Sequence, residues 1–99
     1  MAIKRVDQNQ KAIVAALRTM GCTVAITSKL GFGFPDLVIL LDKIVYLIEI
    51  KNGIKPKSAQ KLTPHEQKFH DNWKKAVIIL NSIESAVEFV NLHRRIQGS

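Results

Sequence analysis

Asp36, Glu49 and Lys51 are the residues of this sequence best suited to do chemistry. Two carboxylates brought together can hold a hard divalent cation. An ammonium beside them can orient a water or steady negative charge on a phosphoryl oxygen. Whether the three meet depends on the chain between them. Asp36 to Leu41 and Ile44 to Lys51 are apolar runs separated only by Asp42-Lys43, the spacing of a β-hairpin with a two-residue turn. Such a turn sets Leu41 opposite Ile44, and counting back along both strands puts Asp36 directly across from Glu49. Cross-strand neighbours have Cβ atoms about 4.5–5.5 Å apart, and like charges there repel unless something positive lies between them. Lys51, two residues beyond Glu49, projects from the same face. A three-residue turn would shift the register by one and send Asp36 to the other face. Alternatively, Glu49 and Lys51 lie beyond the sheet edge in solvent and Asp36 merely opens a strand after Pro35.

The elements that must position these residues are legible from periodicity. A helix is predicted from about Val6 to Met20, with Gln10, Ile13, Val14, Leu17 and Met20 on one stripe and Gly21 closing it. Cys22 to Thr27 is short and rich in β-branched residues, hence a strand, and the glycines and proline from Ser28 to Pro35 mark a loop. The two hairpin strands are apolar on both faces, the pattern of strands central to a covered sheet. Asn52 to Leu62 reads as a polar loop. Thr63-Pro64-His65-Glu66 then opens a helix to about Lys74, with Thr63 as N-cap, Pro64 first in the helix and Glu66 the reciprocal capping residue. Ala76 to Leu80 is a buried strand. Asn81-Ser82 cap a last helix to about Arg95, with Ile83, Ala86, Val87, Val90 and Ile96 on its apolar side. The order is αβββαβα. The long third connection makes the last two strands parallel, so the class is α/β with a mixed sheet flanked by helices.

The 99 residues suit one domain, 1–99, and 46% hydrophobic with 23% charged residues is ordinary globular composition. No apolar run approaches the ~20 residues of a bilayer-spanning helix, which predicts a soluble protein without a membrane partner. The one cysteine, Cys22, has no partner for a disulfide and reads as small core filler. Fifteen Lys and Arg against eight Asp and Glu give a net charge of +7, which favours a polyanionic partner. Lys51 to Lys75 holds seven of the lysines and two acids. That segment is either a solubilising surface or a phosphate-binding one.

The quoted residues also carry a resemblance. Gly33-Phe34-Pro35-Asp36, then Glu49-Ile50-Lys51 on the next strand, then Leu62-Thr63-Pro64-His65-Glu66 opening a helix, resemble the PD-(D/E)XK nuclease superfamily. Within it the chain is most similar to the small stand-alone virus-type replication-repair nucleases (VRR-Nuc) of phages and prophages. The likeness runs from Arg5-Val6-Asp7-Gln8-Asn9-Gln10 to the final helix. It implies a restriction-endonuclease-like αβββαβ core with an extra C-terminal helix, and a Mg²⁺- or Mn²⁺-dependent enzyme that hydrolyses DNA phosphodiesters. Asp36 and Glu49 would be metal ligands, the Ile50 carbonyl a third, and Lys51 the residue that orients or activates the attacking water. Stand-alone relatives imply four-way (Holliday) junctions as substrate and a cytoplasmic setting in a bacterial or phage-infected cell. Two opposed incisions from a chain with one centre imply a two-fold homodimer. With a nuclease centre accepted, Lys55, Lys57 and Lys61 become candidate phosphate contacts.

Two positions depart from the family pattern. Relatives often place a glutamate on the first helix near the metal, where this chain has Asn9 and Gln10. Asp7 could substitute, or could cap the helix with Gln10 at the reciprocal position. Many relatives carry glutamine at the position of Glu66. Here Gln67 follows one residue later, about 100° around the helix, leaving Glu66 as a capping residue and Gln67 as a possible accessory contact.

Other motifs are weaker. His65 and His70 are five residues apart, about 140° out of phase, unlike the four-residue spacing of zinc-protease helices. Phe69 and Trp73 have the spacing of a packing pair, and His93 reads as a surface or helix-end residue. Three functions follow in order of preference: a structure-selective endonuclease acting on Holliday junctions, a less selective flap, nick or duplex nuclease, and a non-catalytic nucleic-acid-binding module on the same fold.

Overall fold

The structure, a computed structural model, describes residues 4–31, 33–51 and 63–98, with the side chains of 4–7 and 66 outside that description. In chain order the elements are α1 (Lys4–Thr19), β1 (Thr23–Ile26), a 3₁₀ turn (Ser28–Leu30), β2 (Leu37–Leu41), β3 (Ile44–Ile50), α2 (Pro64–Lys74), β4 (Val77–Leu80) and α3 (Ile83–Gln97). The four strands form one sheet in the order β1-β2-β3-β4, antiparallel except for the parallel β3–β4 pair. The chain is therefore α/β, with a four-stranded mixed sheet flanked by helices.

The hairpin is as tight as the spacing predicts. Leu41 pairs with Ile44 and Leu37 with Ile48. Asp42 and Lys43 both take positive φ, 50° and 72°, which is the backbone of a type I′ turn whose twist matches the strands it joins. Neither residue is the Gly or Asn such a turn prefers. Asp42 is held there by contacts to α3, described below.

The core lies on one face of the sheet. Val24, Leu37, Ile39, Leu41, Ile48, Ile50 and Leu80 point into it from the strands, and Ile13, Val14, Leu17, Ala86 and Val90 close it from α1 and α3. Each fully buried Leu or Ile contributes roughly 1.5–3 kcal/mol. The expectation that both faces of the hairpin strands are covered holds for this face only. On the other, Leu40, Val45 and Ile79 are 42%, 62% and 52% exposed. Alternation explains the misreading: a run of apolar residues shows that neither face is charged, not that both are packed.

The last helix is also rotated from the predicted stripe. Ala86, Val90 and His93 are buried, while Ile83, Val87 and Ile96 are exposed. Ser82 caps it: its hydroxyl accepts from Ser85 N–H at 3.1 Å, and Ser85 Oγ accepts from Ser82 N–H at 3.1 Å. A second correction concerns Asp7. Since α1 already runs from Lys4, Asp7 lies inside the helix and is not its N-cap. Third, α2 adds no residue to the buried core among the described residues. It is tied instead to the segment before β2, where Phe34 packs against Trp73 (ring centroids 5.0 Å apart) and Phe69 (6.2 Å), and His70 Nδ1–H donates to the Gly33 carbonyl at 3.0 Å.

Candidate functional site

The β2–β3 pairing ends at Leu37 and Ile48, and the next residue on each side is Asp36 and Glu49. Leu37, Ile48 and Ile50 are buried in the core, so alternation turns Asp36, Glu49 and Lys51 away from it. Asp36 and Glu49 are half-buried, and Lys51 is exposed. The expected juxtaposition thus rests on a register that is present in the fold.

Asp36 is fixed from several directions. Its Oδ2 accepts the Ile50 backbone N–H at 2.8 Å. Its own carbonyl accepts Thr27 N–H at 2.8 Å, and the Thr27 hydroxyl donates to the Pro35 carbonyl at 2.8 Å. The carboxylate therefore takes the place of the next rung of the β2–β3 ladder. N–H and C=O of one strand residue point to the same edge, so the Ile50 carbonyl lies on the edge of β3 that faces Asp36. Lys51 N–H is turned to the other edge, where it donates to the Leu80 carbonyl at 2.9 Å and keeps the end of β3 in the sheet.

The donor set at this end is two carboxylates and one backbone carbonyl, all hard oxygens, and such a set suits Mg²⁺ or Mn²⁺, which commonly takes one or two carboxylates and leaves other positions to water and phosphate. No group of three His, Cys, Asp or Glu side chains among the described residues forms a larger cage. His65 and His70 do not share a zinc site on α2, because five residues put them about 140° apart around the helix.

The accessory residues separate. Gln10 does reach this end of the molecule: its Nε2–H donates to Ser28 Oγ at 3.2 Å, next to the Thr27 that holds Asp36. Beside it, Asn9 has a buried Nδ2 with no hydrogen-bond partner among the described residues. Gln67 is an exposed residue whose Nε2–H donates to Asp71 Oδ1 at 2.9 Å, one turn along its own helix. The side chains of Asp7 and Glu66, and all of Lys55, Lys57 and Lys61, lie outside the described residues.

A second polar cluster, at the opposite end of the hairpin, was not foreseen. His93 is 4% exposed, not a surface residue. Its Nε2–H donates to Asp42 Oδ2 at 3.2 Å and its Nδ1 accepts from the Tyr46 hydroxyl at 2.7 Å; the acceptor-only carboxylate assigns this tautomer to the neutral ring. Arg94 adds an ion pair to Asp42 at 3.8 Å and donates from Nη2 to the Met20 carbonyl at 2.6 Å. Gly21, at φ 99°, sits where an added Cβ would come within 3.1 Å of that Nη2. Burial of Cys22 in this neighbourhood pushes its thiol pKa up, against the opposing pull of Arg94 and with a further push from Asp42. The signal that would have found the cluster was the heptad-like return of His93 below Ala86 and Val90.

Comparison of the chain with protein-family models, curated proteins and solved structures finds no significant match. The functional reading therefore stands on the geometry of these residues. No helix among the described residues is long and apolar enough to cross a membrane.

Proposed function

We propose that this chain is a PD-(D/E)XK nuclease of the VRR-Nuc type, a metal-dependent, structure-selective DNA endonuclease with a restriction-endonuclease-like core. The single observation that supports the reading is the hairpin register, whose last pair, Leu37 with Ile48, is followed on the two strands by Asp36 and Glu49, with Lys51 two residues further on. Like charges across a ladder cost stability, and a bound cation offsets that cost. Asp36, Glu49 and the Ile50 carbonyl would hold Mg²⁺ or Mn²⁺. The ion would supply a lowered pKa for bound water and positive charge for the phosphoryl oxygens.

The protein's own groups do the rest. Ile50 N–H fixes the Asp36 carboxylate, which would be one of the groups holding the ion. Lys51, exposed at the end of β3, is free to approach the scissile phosphate, orient the attacking water and compensate charge on the phosphorane. The net charge of +7 draws the DNA backbone, and a domain of 99 residues has few elements left for reading base sequence. Branched DNA, with the Holliday junction first, is the substrate that suits backbone recognition, and paired incisions would come from a homodimer.

Incubating the protein with labelled junction, flap, duplex and single strand in Mg²⁺, Mn²⁺ or EDTA tests this reading. Paired symmetric nicks confined to the junction are expected. Broad metal-dependent cutting would replace the resolvase with a general nuclease, and binding without metal-dependent cutting would overturn catalysis.

A further inference from the structure

Beside the Asp36 end of the sheet, on the α1 side, lies an open groove of about 440 Å³ lined by Gln10, Lys11, Ile26, Ser28 and Lys29. Its described lining holds two cations, two neutral polar groups, one apolar side chain and no acid. Lys11 and Lys29 are exposed, and Ile26 is half exposed although it is on the core-facing side of β1. The Gln10–Ser28 hydrogen bond spans from helix to loop, holding the two walls together. Thr27 links the wall to the candidate centre, since its N–H and hydroxyl grip Asp36 and Pro35.

We propose that this groove seats a non-scissile phosphodiester of the DNA strand being cut, with Lys11 and Lys29 as its cations and Ser28 as a neutral hydrogen-bonding group. The proposal rests on the nuclease reading for the direction in which the strand runs, but not for the chemistry of the groove. Two lysines on separate elements, α1 and the 3₁₀ turn, line one groove in which no carboxylate is found among the described residues. An anion there relieves their mutual repulsion, and release of the counterions condensed on DNA favours binding. Ile26 gives the adjoining sugar an apolar wall. A strand seated here would pass round the β1–β2 end of the sheet, past Thr27, to reach Asp36 and Glu49 on the other face.

The test is equilibrium binding of a fluorescein-labelled four-way junction in EDTA, where no cutting occurs, across a series of salt concentrations. Lys11→Ala with Lys29→Ala is expected to weaken binding and to reduce the slope of log K against log salt by about 1.8, two contacts at about 0.9 each. Ile26→Trp fills the groove at constant charge and is expected to weaken binding too, with thermal melts checking that each variant is folded. Lys43→Ala with Arg95→Ala removes the same charge at the far end of the hairpin and should leave the slope in place. Unchanged binding by both groove variants, or an equal loss in the far-end control, overturns the groove. Failure of the nuclease reading shows separately, as absence of cutting in Mg²⁺ by a wild-type protein that still binds through the groove.

Discussion

The two ends of the β2–β3 hairpin hold the same kinds of residue and put them to opposite uses. At the turn, Asp42 meets His93 and Arg94, and His93 meets Tyr46, so donor faces acceptor and positive faces negative. At the open end, Asp36 and Glu49 follow the last pair of the ladder, Leu37 with Ile48, and the Asp36 carboxylate accepts the Ile50 backbone N–H. The first arrangement lowers the energy of the folded chain by itself. The second is, in the proposed reading, the one that a bound cation completes. A polar cluster whose donors and acceptors meet within the chain acts as a brace, while two carboxylates and an ammonium gathered at one strand end suit a cation and a phosphate.

Mutations at the two ends should therefore have crossed effects. The largest is expected for Glu49→Gln, which keeps shape and removes charge: junction cleavage falls on the order of 10²–10³-fold or more, while the melting temperature holds or rises and binding in EDTA persists. Asp36→Asn retains an acceptor for Ile50 N–H and should behave alike, as should Lys51→Ala. Undiminished cleavage in any one of them removes that residue from the mechanism.

At the other end the phenotype inverts. His93→Ala leaves a cavity and strands the Tyr46 hydroxyl and the Asp42 carboxylate, at a cost of about 3 kcal/mol, or a fall in Tm of more than about 10 °C. Tyr46→Phe deletes one partner and should cost about 1–2 kcal/mol. In both, cleavage per folded molecule at low temperature is expected to match wild type. A specific loss of cleavage in folded His93→Ala would collapse the distinction between the ends.

The smallest effect sharpens the description of the turn end. Because burial raises the Cys22 pKa above the ordinary thiol value of 9.0, the unfolded chain gives up that proton at lower pH than the folded one. The contribution to stability is fully present below the unfolded value and is lost as pH rises toward the folded one. Denaturation curves between pH 8 and 10 should fall for wild type and fall less for Cys22→Ala. Equal slopes would contradict a buried thiol.

Most of the positioning frame was legible because local rules set it. Two residues between apolar runs dictate a tight turn, and the turn dictates which side chains face each other. The polar start at Ser82 likewise set the last helix. What local rules could not show was partnership over distance. His93 lies in a stretch of polar residues, and only the packing of α3 against Tyr46 and Asp42 makes it a core residue. The open face of Leu40, Val45 and Ile79 escaped for a related reason, since apolar character does not say whether another layer arrives to cover it. Gln67 is bonded to Asp71 one turn along its own helix, a local contact that its place beside Glu66 did not announce.

The central claim is that Asp36 and Glu49 jointly hold one cation, and titration of Mn²⁺ into the protein by calorimetry tests it most directly. The account predicts one Mn²⁺ bound per chain in wild type and loss of that binding in Asp36→Asn and in Glu49→Gln alike. Mn²⁺ binding that survives intact in either variant would contradict it.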